Sequence, residues 1–346
     1  MNYFEKLNPV IKEYFNILSA EVPDFIKEYV NAPELINQNG ISVSCGTFYS
    51  KLYNYSLWYS SLDHSIAVAL IIWNFTHDKK QTLAGLFHDI ATPVFKHCID
   101  FMNGDYETQE STEDLTKNII QNSKYIMNLL KRDNIMIEEV CDYHIYPIAD
   151  NDTPKLSADR LEYTLSNGLG VRDDLWDLNE IEEIYKDITI YKNEEGIDEL
   201  GFKTLKIAEK FVETMSILSR MYMCNKTRYS MEFLAKTMKE LSNEKYITIE
   251  ELYHTSEKDI INKILKSSNE KIVNEFMNWQ NAYRVYTSLE ENTDKYCVKV
   301  PAKKRYINPL VKENNSIKRI IDISFIAKND INKCLAVTFD EYIWIK

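Results

Sequence analysis

Four side chains in the first half of the sequence have the types needed to hold a metal ion: His64, His88, Asp89 and Asp159. Imidazole and carboxylate are the ligands of borderline-hard divalent cations. His64 falls in an apolar run, 62–73, with helical character. His88-Asp89 closes a second such run, 82–87, just before Thr92-Pro93 interrupts the helix. Asp159 sits in a third helical stretch, 156–163. Ionisable groups set into apolar helices are costly unless something pairs with them. One shared ion pairs all four; the alternative is four separately hydrogen-bonded polar residues. His77-Asp78 precedes Lys79-Lys80 in a polar turn between two helices and is expected to face solvent.

A metal with open positions acidifies bound water and polarises a phosphoryl oxygen, which points to metal-bound hydroxide attacking phosphorus. Phosphoester hydrolysis also needs an acid or base for the leaving group and cations for the remaining phosphates. His97 and Asp100, one turn apart after Pro93, share a helix face and can form an acid/base pair. His144 is a second candidate, as a proton donor or as a ligand of another metal. Arg160 and Arg220 could hold phosphates, although an Arg on a helix more often makes a surface ion pair.

The elements that must position these residues are mostly helices. Amphipathic periodicity runs to about residue 290 and is clearest over 112–132, 204–242 and 257–288. Leu205, Ala208, Phe211, Val212, Met215, Leu218 and Met221 form one stripe, read as core. The acidic run 177–183 reads as solvated surface inside a loop-like segment, 168–202. Past residue 295, the segments 296–300, 318–326 and 336–344 turn β-branched and aromatic, several with period two. The expected architecture is therefore mainly α: a helical body over 1–290 and a small β or α+β tail over 291–346, packed on that body.

A net charge of -12 argues against extended nucleic-acid binding but not against a small anionic substrate, since a metal and a few cations reverse the potential locally. The six scattered cysteines, without a Cys-x-x-Cys pair, suit free thiols in a reducing compartment. The N-terminal residues have no signal-peptide pattern and no apolar run can span a bilayer, so a cytoplasmic protein with no membrane contact is expected.

The motif as a whole resembles a known family. His64, His88-Asp89 and Asp159 look like the H…HD…D signature of the HD-domain metal-dependent phosphohydrolases. Residues 88–100 are similar to the HD-x-GH-x-PF-x-H-x-x-D/E segment of the dNTP triphosphohydrolase branch, and Asp159-Arg160-Leu161-Glu162-Tyr163 to its D-K/R-x-x-Y helix. The basic stretch 303–311 resembles that branch's R-x-x-D-P-L-V strand. The resemblance implies an HD helical bundle with its core at about 45–170, extra C-terminal helices and a divalent ion (Mn, Fe, Mg, Zn or Ni). It also implies a nucleotide substrate approached by Arg160, Tyr163 and Asn167, the last standing where an Asp often reads the sugar 3′-hydroxyl. Homo-oligomerisation is a further implication.

The departures are specific. Ser61 stands where the family usually has Arg, Ala91-Thr92 replaces its Gly-His pair, and Gln109-Glu110 replaces its downstream His-Glu pair. Thr and Gln cannot transfer protons near pH 7, which leaves His97, Asp100 or His144 for that work. Three functions follow: a dNTP triphosphohydrolase-like enzyme, a nucleoside monophosphatase or cyclic-nucleotide phosphodiesterase, or a catalytically weakened nucleotide-binding regulator.

Overall fold

Helix Ser61–Thr76 is the axis of the structure, and every residue from Ser61 to Ile72 is buried. A helix apolar on all sides has to be surrounded by others. Ser60 starts it through a reciprocal capping box with Asp63. His77, exposed and left-handed (φ 49°), ends it. The Asp78 carboxylate then accepts from the amides of Lys80 and Gln81 and opens helix Lys79–Phe87. These two helices pack closely because Gly85 faces Ile72: a Cβ on Gly85 would come within 2.3 Å of Ile72 Cδ1. Helices Pro9–Leu18 and Ala158–Gly170 also pack on the axis, and Leu205–Tyr222 packs behind the latter.

The fold is mainly α with little sheet, seen in a computed structural model that describes residues 3–107, 115–170 and 175–346. Six short strands are present among these residues: β1 (Ile188–Lys192), β2 (Asp198–Phe202), β3 (Tyr286–Ser288), β4 (Leu310–Glu313), β5 (Ser316–Arg319) and β6 (Tyr342–Trp344). One sheet has the order β1-β2-β4-β5, antiparallel except where β2 runs parallel to β4, with Gly201 opposite Leu310. β3 and β6 make a separate antiparallel ribbon. The larger sheet braces the start of helix Ala158–Gly170: buried Glu199 on β2 accepts from the Leu156 amide and from Arg319 at the end of β5. No helix among the described residues is long and apolar enough to cross a membrane, and all six cysteines are free thiols.

Apolar side chains gather in two main cores. The first surrounds helix Ser61–Thr76; the second surrounds Phe233, Phe276 and Trp279. Segment 88–97 crosses between them, with Phe87 and Ile90 in the first core and Val94 and Phe95 in the second.

Three expectations need correction. Where it is described, segment 168–202 is not loop-like. Helix Leu178–Lys186 occupies the acidic run, capped by Asp177 and Glu180, where negative charge complements the helix N-terminus. The hairpin β1-β2 follows, its turn fixed by Asn193 Oδ1 accepting from the Glu195 and Ile197 amides. Second, the β-branched stretch 318–326 is strand only to Arg319; Ser324 then caps helix Phe325–Leu335. Third, the pattern over 204–242 is two helices, Leu205–Tyr222 and Asn225–Asn243, parted at Met223-Cys224. The core stripe on the first of these holds, with Leu205 and Met221 only partly covered.

Glu257, first residue of helix Glu257–Leu265, is fully buried and neither of its oxygens has a partner in hydrogen-bonding geometry. Burial pushes its carboxyl from 4.5 up to about 8, only partly opposed by the nearby backbone of Ser42, Gly46 and Phe95. The folded protein therefore keeps a proton that the unfolded chain releases, and stability falls as pH rises from about 4.5 to about 8. Glu257→Gln should flatten that decline and stabilise the protein at pH 8 relative to pH 5, as read from urea midpoints at the two pH values.

Candidate metal centre and its cavity

The four residues expected to share an ion come together. His64 Nε2 lies 3.1 Å from His88 Nε2 and 3.1 Å from Asp159 Oδ1. His88 Nε2 is 3.8 Å from Asp159 Oδ1 and 3.8 Å from Asp89 Oδ1, and His64 Nε2 is 4.0 Å from Asp89 Oδ2. Donors bound at about 2.1 Å to one ion stand about 3–4.2 Å apart; His64, His88 and Asp89 meet that spacing together, and Asp159 meets it toward the two histidines. Three elements deliver the set: the first turn of the axial helix, the end of helix Lys79–Phe87, and the first turn of helix Ala158–Gly170.

The ring orientations carry more information than the distances. His88 Nδ1–H donates to the Gly85 carbonyl at 2.7 Å, and His64 Nδ1–H donates to the Glu162 carboxylate. With both Nδ1 protons committed, the two Nε2 atoms face each other, and in the metal-free protein a proton on His64 Nε2, shared with Asp159, stands where a cation would. Two facing lone pairs repel unless a proton or a cation lies between them. Holding the far nitrogen in this way is how metal-binding histidines are oriented. The group His64, His88 and Asp89 could thus bind a metal ion.

Electrostatics around the cluster favour ionised carboxylates. Burial alone would raise Asp89, but the Lys96 ammonium and the two imidazoles outweigh it and hold the carboxylate far below its usual range. Asp159 is lowered likewise, burial being overcome by its hydrogen bond to His64 and the charges of both histidines. Burial pulls His64 down, yet Glu162 and Asp159 prevail and push the metal-free imidazole up to about 10.

Glu162 was not singled out from sequence, although it stands one turn after Asp159 on the same helix. It is fully buried and also accepts from Tyr59 Oη at 2.6 Å, Tyr14 Oη at 3.2 Å and Ser166 Oγ at 3.4 Å. A buried Glu among apolar neighbours was the available signal. Lys96 was also missed: its Nζ lies 2.6 Å from Asp89 Oδ2 and 3.0 Å from Ser61 Oγ.

The remaining expected site residues line one cavity of about 1450 Å³ that opens from the donor cluster, apart from Asp100, which stands behind it. His97 Nδ1 is 2.9 Å from Asp100 Oδ2, and Asp100 is fully buried. Burial lowers His97 below its usual value despite Asp100, so near neutrality it is an uncharged acceptor at Nε2. His144 is half exposed and faces a carboxylate at each nitrogen: Asp142 Oδ1 at 2.9 Å and Asp150 Oδ2 at 3.4 Å. Tyr143 joins it to the cluster, its ring 4.5 Å from that of His144 and 4.9 Å from that of His88.

The nucleotide-facing set is more constrained than its residue types suggested. The Arg160 guanidinium is tied to Asp150 and to the Asn151 carbonyl, so it reaches the cavity wall already paired. Asn167 bonds back to the Tyr163 carbonyl at 2.7 Å. Burial raises Tyr163 to about 12, leaving a neutral phenol. Arg220 donates to Ser216 Oγ at 2.6 Å. Tyr222 Oη, buried on the wall, has no hydrogen-bond partner among the described residues. Thr92 is buried, and Gln109-Glu110 lies outside the described residues.

Comparison with known structures accounts for this arrangement of helices. A phosphohydrolase from Bacteroides thetaiotaomicron VPI-5482 superposes with a TM-score of 0.63 over 94% of this chain and 96% of its own, at 13% identity. A hypothetical protein from Aquifex aeolicus gives 0.62 over 92% and 91%, at 14% identity. The fold is shared. In sequence, the uncharacterized protein YdhJ of Bacillus subtilis (strain 168) is 26% identical over 223 residues, 61% of this chain and 62% of YdhJ. The match thus spans less than two thirds of that relative. No protein-family model matches the chain.

The geometry makes Glu162 the support of the cluster. Glu162→Gln should weaken divalent-metal affinity about 10–100-fold, measured by competition with a chromogenic chelator. Tyr59→Phe, which removes one hydrogen bond to Glu162 but leaves its charge, should stay near wild type in the same assay.

Proposed function

We propose that this protein is a metal-dependent phosphohydrolase acting on nucleotides, with His64, His88, Asp89 and Asp159 as its metal ligands. The observation that carries the reading is the pair of facing imidazole Nε2 atoms, 3.1 Å apart and flanked by two carboxylates, on the wall of a cavity of about 1450 Å³. The structural likeness to a phosphohydrolase supports the same reading.

A divalent ion held there supplies Lewis acidity toward a water molecule and a phosphoryl oxygen. The protein's own side chains supply the rest. His97, neutral and oriented by Asp100, accepts a proton at Nε2. His144, with acceptors at both nitrogens, is the proton-donating candidate for the leaving group. Tyr163 and Tyr222 offer neutral hydroxyls. Nine cationic and six acidic side chains line the cavity, an excess of positive charge within a chain of net charge -12. Charge spread that far beyond the donor cluster fits several phosphates better than one, which favours a (deoxy)nucleoside triphosphate cleaved to nucleoside and triphosphate. Thr92 favours the second reading, a nucleoside monophosphatase or cyclic-nucleotide phosphodiesterase, since it cannot protonate a polyphosphate leaving group.

Metal-loaded protein incubated with nucleotide panels should release triphosphate, resolved from pyrophosphate and phosphate by ion chromatography. His88→Ala/Asp89→Ala, and treatment with a chelator, should each abolish turnover. Phosphate from monophosphates, or opening of cyclic nucleotides, selects the second reading. Nucleotide binding without turnover, unchanged by the double substitution, leaves only a regulator.

A further inference from the structure

At the edge of the donor cluster the backbone adopts a conformation that side chains resist. Phe95 and Lys96 both have positive φ, 64° and 45°. Each such residue costs roughly 1–2 kcal/mol unless it is glycine. The turn is held from the second core. Phe95 is fully buried, with its ring carbon Cδ1 only 2.5 Å from where a Cβ on Gly46 would stand, so glycine is what admits the ring. The Val94 amide donates to the Leu252 carbonyl at 2.8 Å, and the Lys96 amide to the Pro93 carbonyl at 2.9 Å. Glycine at position 96 would take this backbone freely. Lysine stands there instead, and its ammonium ends beside a metal-ligand candidate.

That ammonium is closely confined. Nζ lies 2.6 Å from Asp89 Oδ2 and 3.0 Å from Ser61 Oγ, on the cavity wall, and the side chain is 10% exposed. An ammonium has three donors. Asp89 and Ser61 take two, and the third is left for an acceptor entering the cavity. The bond to Oδ2 also restrains the rotation of the carboxylate, whose Oδ1 lies 3.8 Å from His88 Nε2 and whose Oδ2 lies 4.0 Å from His64 Nε2.

We propose that Lys96 is the anion-binding partner of the metal: anchored on Asp89, it presents a second positive charge to the phosphoryl group. The inference rests on the metal-dependent reading above. Two carboxylates neutralise a divalent ion, so the donor set alone holds an anion weakly. The ammonium restores a net positive centre at a partly buried site, where charge counts for more than in open water. Two cations a short distance apart recognise a phosphoryl group by position as well as by charge.

The test uses wild type, Lys96→Gly and Lys96→Met, all loaded with the same divalent metal and titrated calorimetrically with inorganic phosphate. Bound metal and melting temperature are measured on the same preparations. Lys96→Gly should keep its metal and melt at or above wild type, because glycine relieves the left-handed backbone, yet bind phosphate at least tenfold more weakly. Lys96→Met, which keeps the stem and the strain, should lose phosphate binding to the same extent. Phosphate affinity within twofold of wild type in both variants overturns the proposal, as does a metal-loaded wild type that binds no phosphate. A wild type that takes up no metal sinks the metal-dependent reading and this one with it; metal uptake with unchanged phosphate affinity sinks this one alone.

Discussion

One buried carboxylate organises the centre of the molecule. Glu162 has no access to water, and a carboxylate in that position is tolerable only if its lone pairs are used. Tyr14 from helix Pro9–Leu18, Tyr59 from the turn before the axial helix, His64 from the axial helix and Ser166 from its own helix supply the donors. The requirement to satisfy one charge thus ties three helices at a single depth. It also fixes the tautomer of His64, so the polarity of the cluster depends on packing several residues away. Removing any of these donors leaves a cost that apolar packing cannot offset.

The same logic explains why the polar site sits between two apolar cores. Segment 88–97 leaves the first core at Ile90 and enters the second at Val94 and Phe95. Each end is anchored by burial, and Phe95 and Lys96, where the segment enters the second core, take left-handed backbone. His97 is fixed in turn by Asp100, whose charge has no route to solvent. Some cations of the cavity wall are engaged with its acids, Arg160 with Asp150, Lys96 with Asp89 and Lys155 with Glu195. Among the described residues, Tyr222 Oη is left on that wall without a hydrogen-bond partner.

Much of the helical body was legible because helices declare themselves through local spacing. The axial helix, Lys79–Phe87 and Ala158–Gly170 all stood where their apolar runs predicted. The convergence of His64, His88, Asp89 and Asp159 was legible too, since ionisable residues set into apolar helices must find partners to offset their burial. What escaped was non-local. Ile188-Thr189-Ile190-Tyr191 alternates as a strand should, but its acidic surroundings masked it, and the sheet it joins is completed by β4, far along the chain. Lys96 escaped for a different reason: a lysine after an apolar residue reads as surface, and nothing local says that its backbone turns it inward. Ser61 was read as a lost cation, and in space the Lys96 ammonium stands against it, supplied by a different segment.

The parallel pairing of β2 with β4 sets an order of events during synthesis. All four donors precede residue 160, and Glu162 follows immediately, so the cluster can assemble while the rest of the chain is still being made. The basic wall at 303–306 is seated later, when Ser219 donates to the Arg305 carbonyl and Leu310 takes its place beside Gly201. An ion captured early would meet an open groove, and the enclosed chamber would exist only once the last strands had been added.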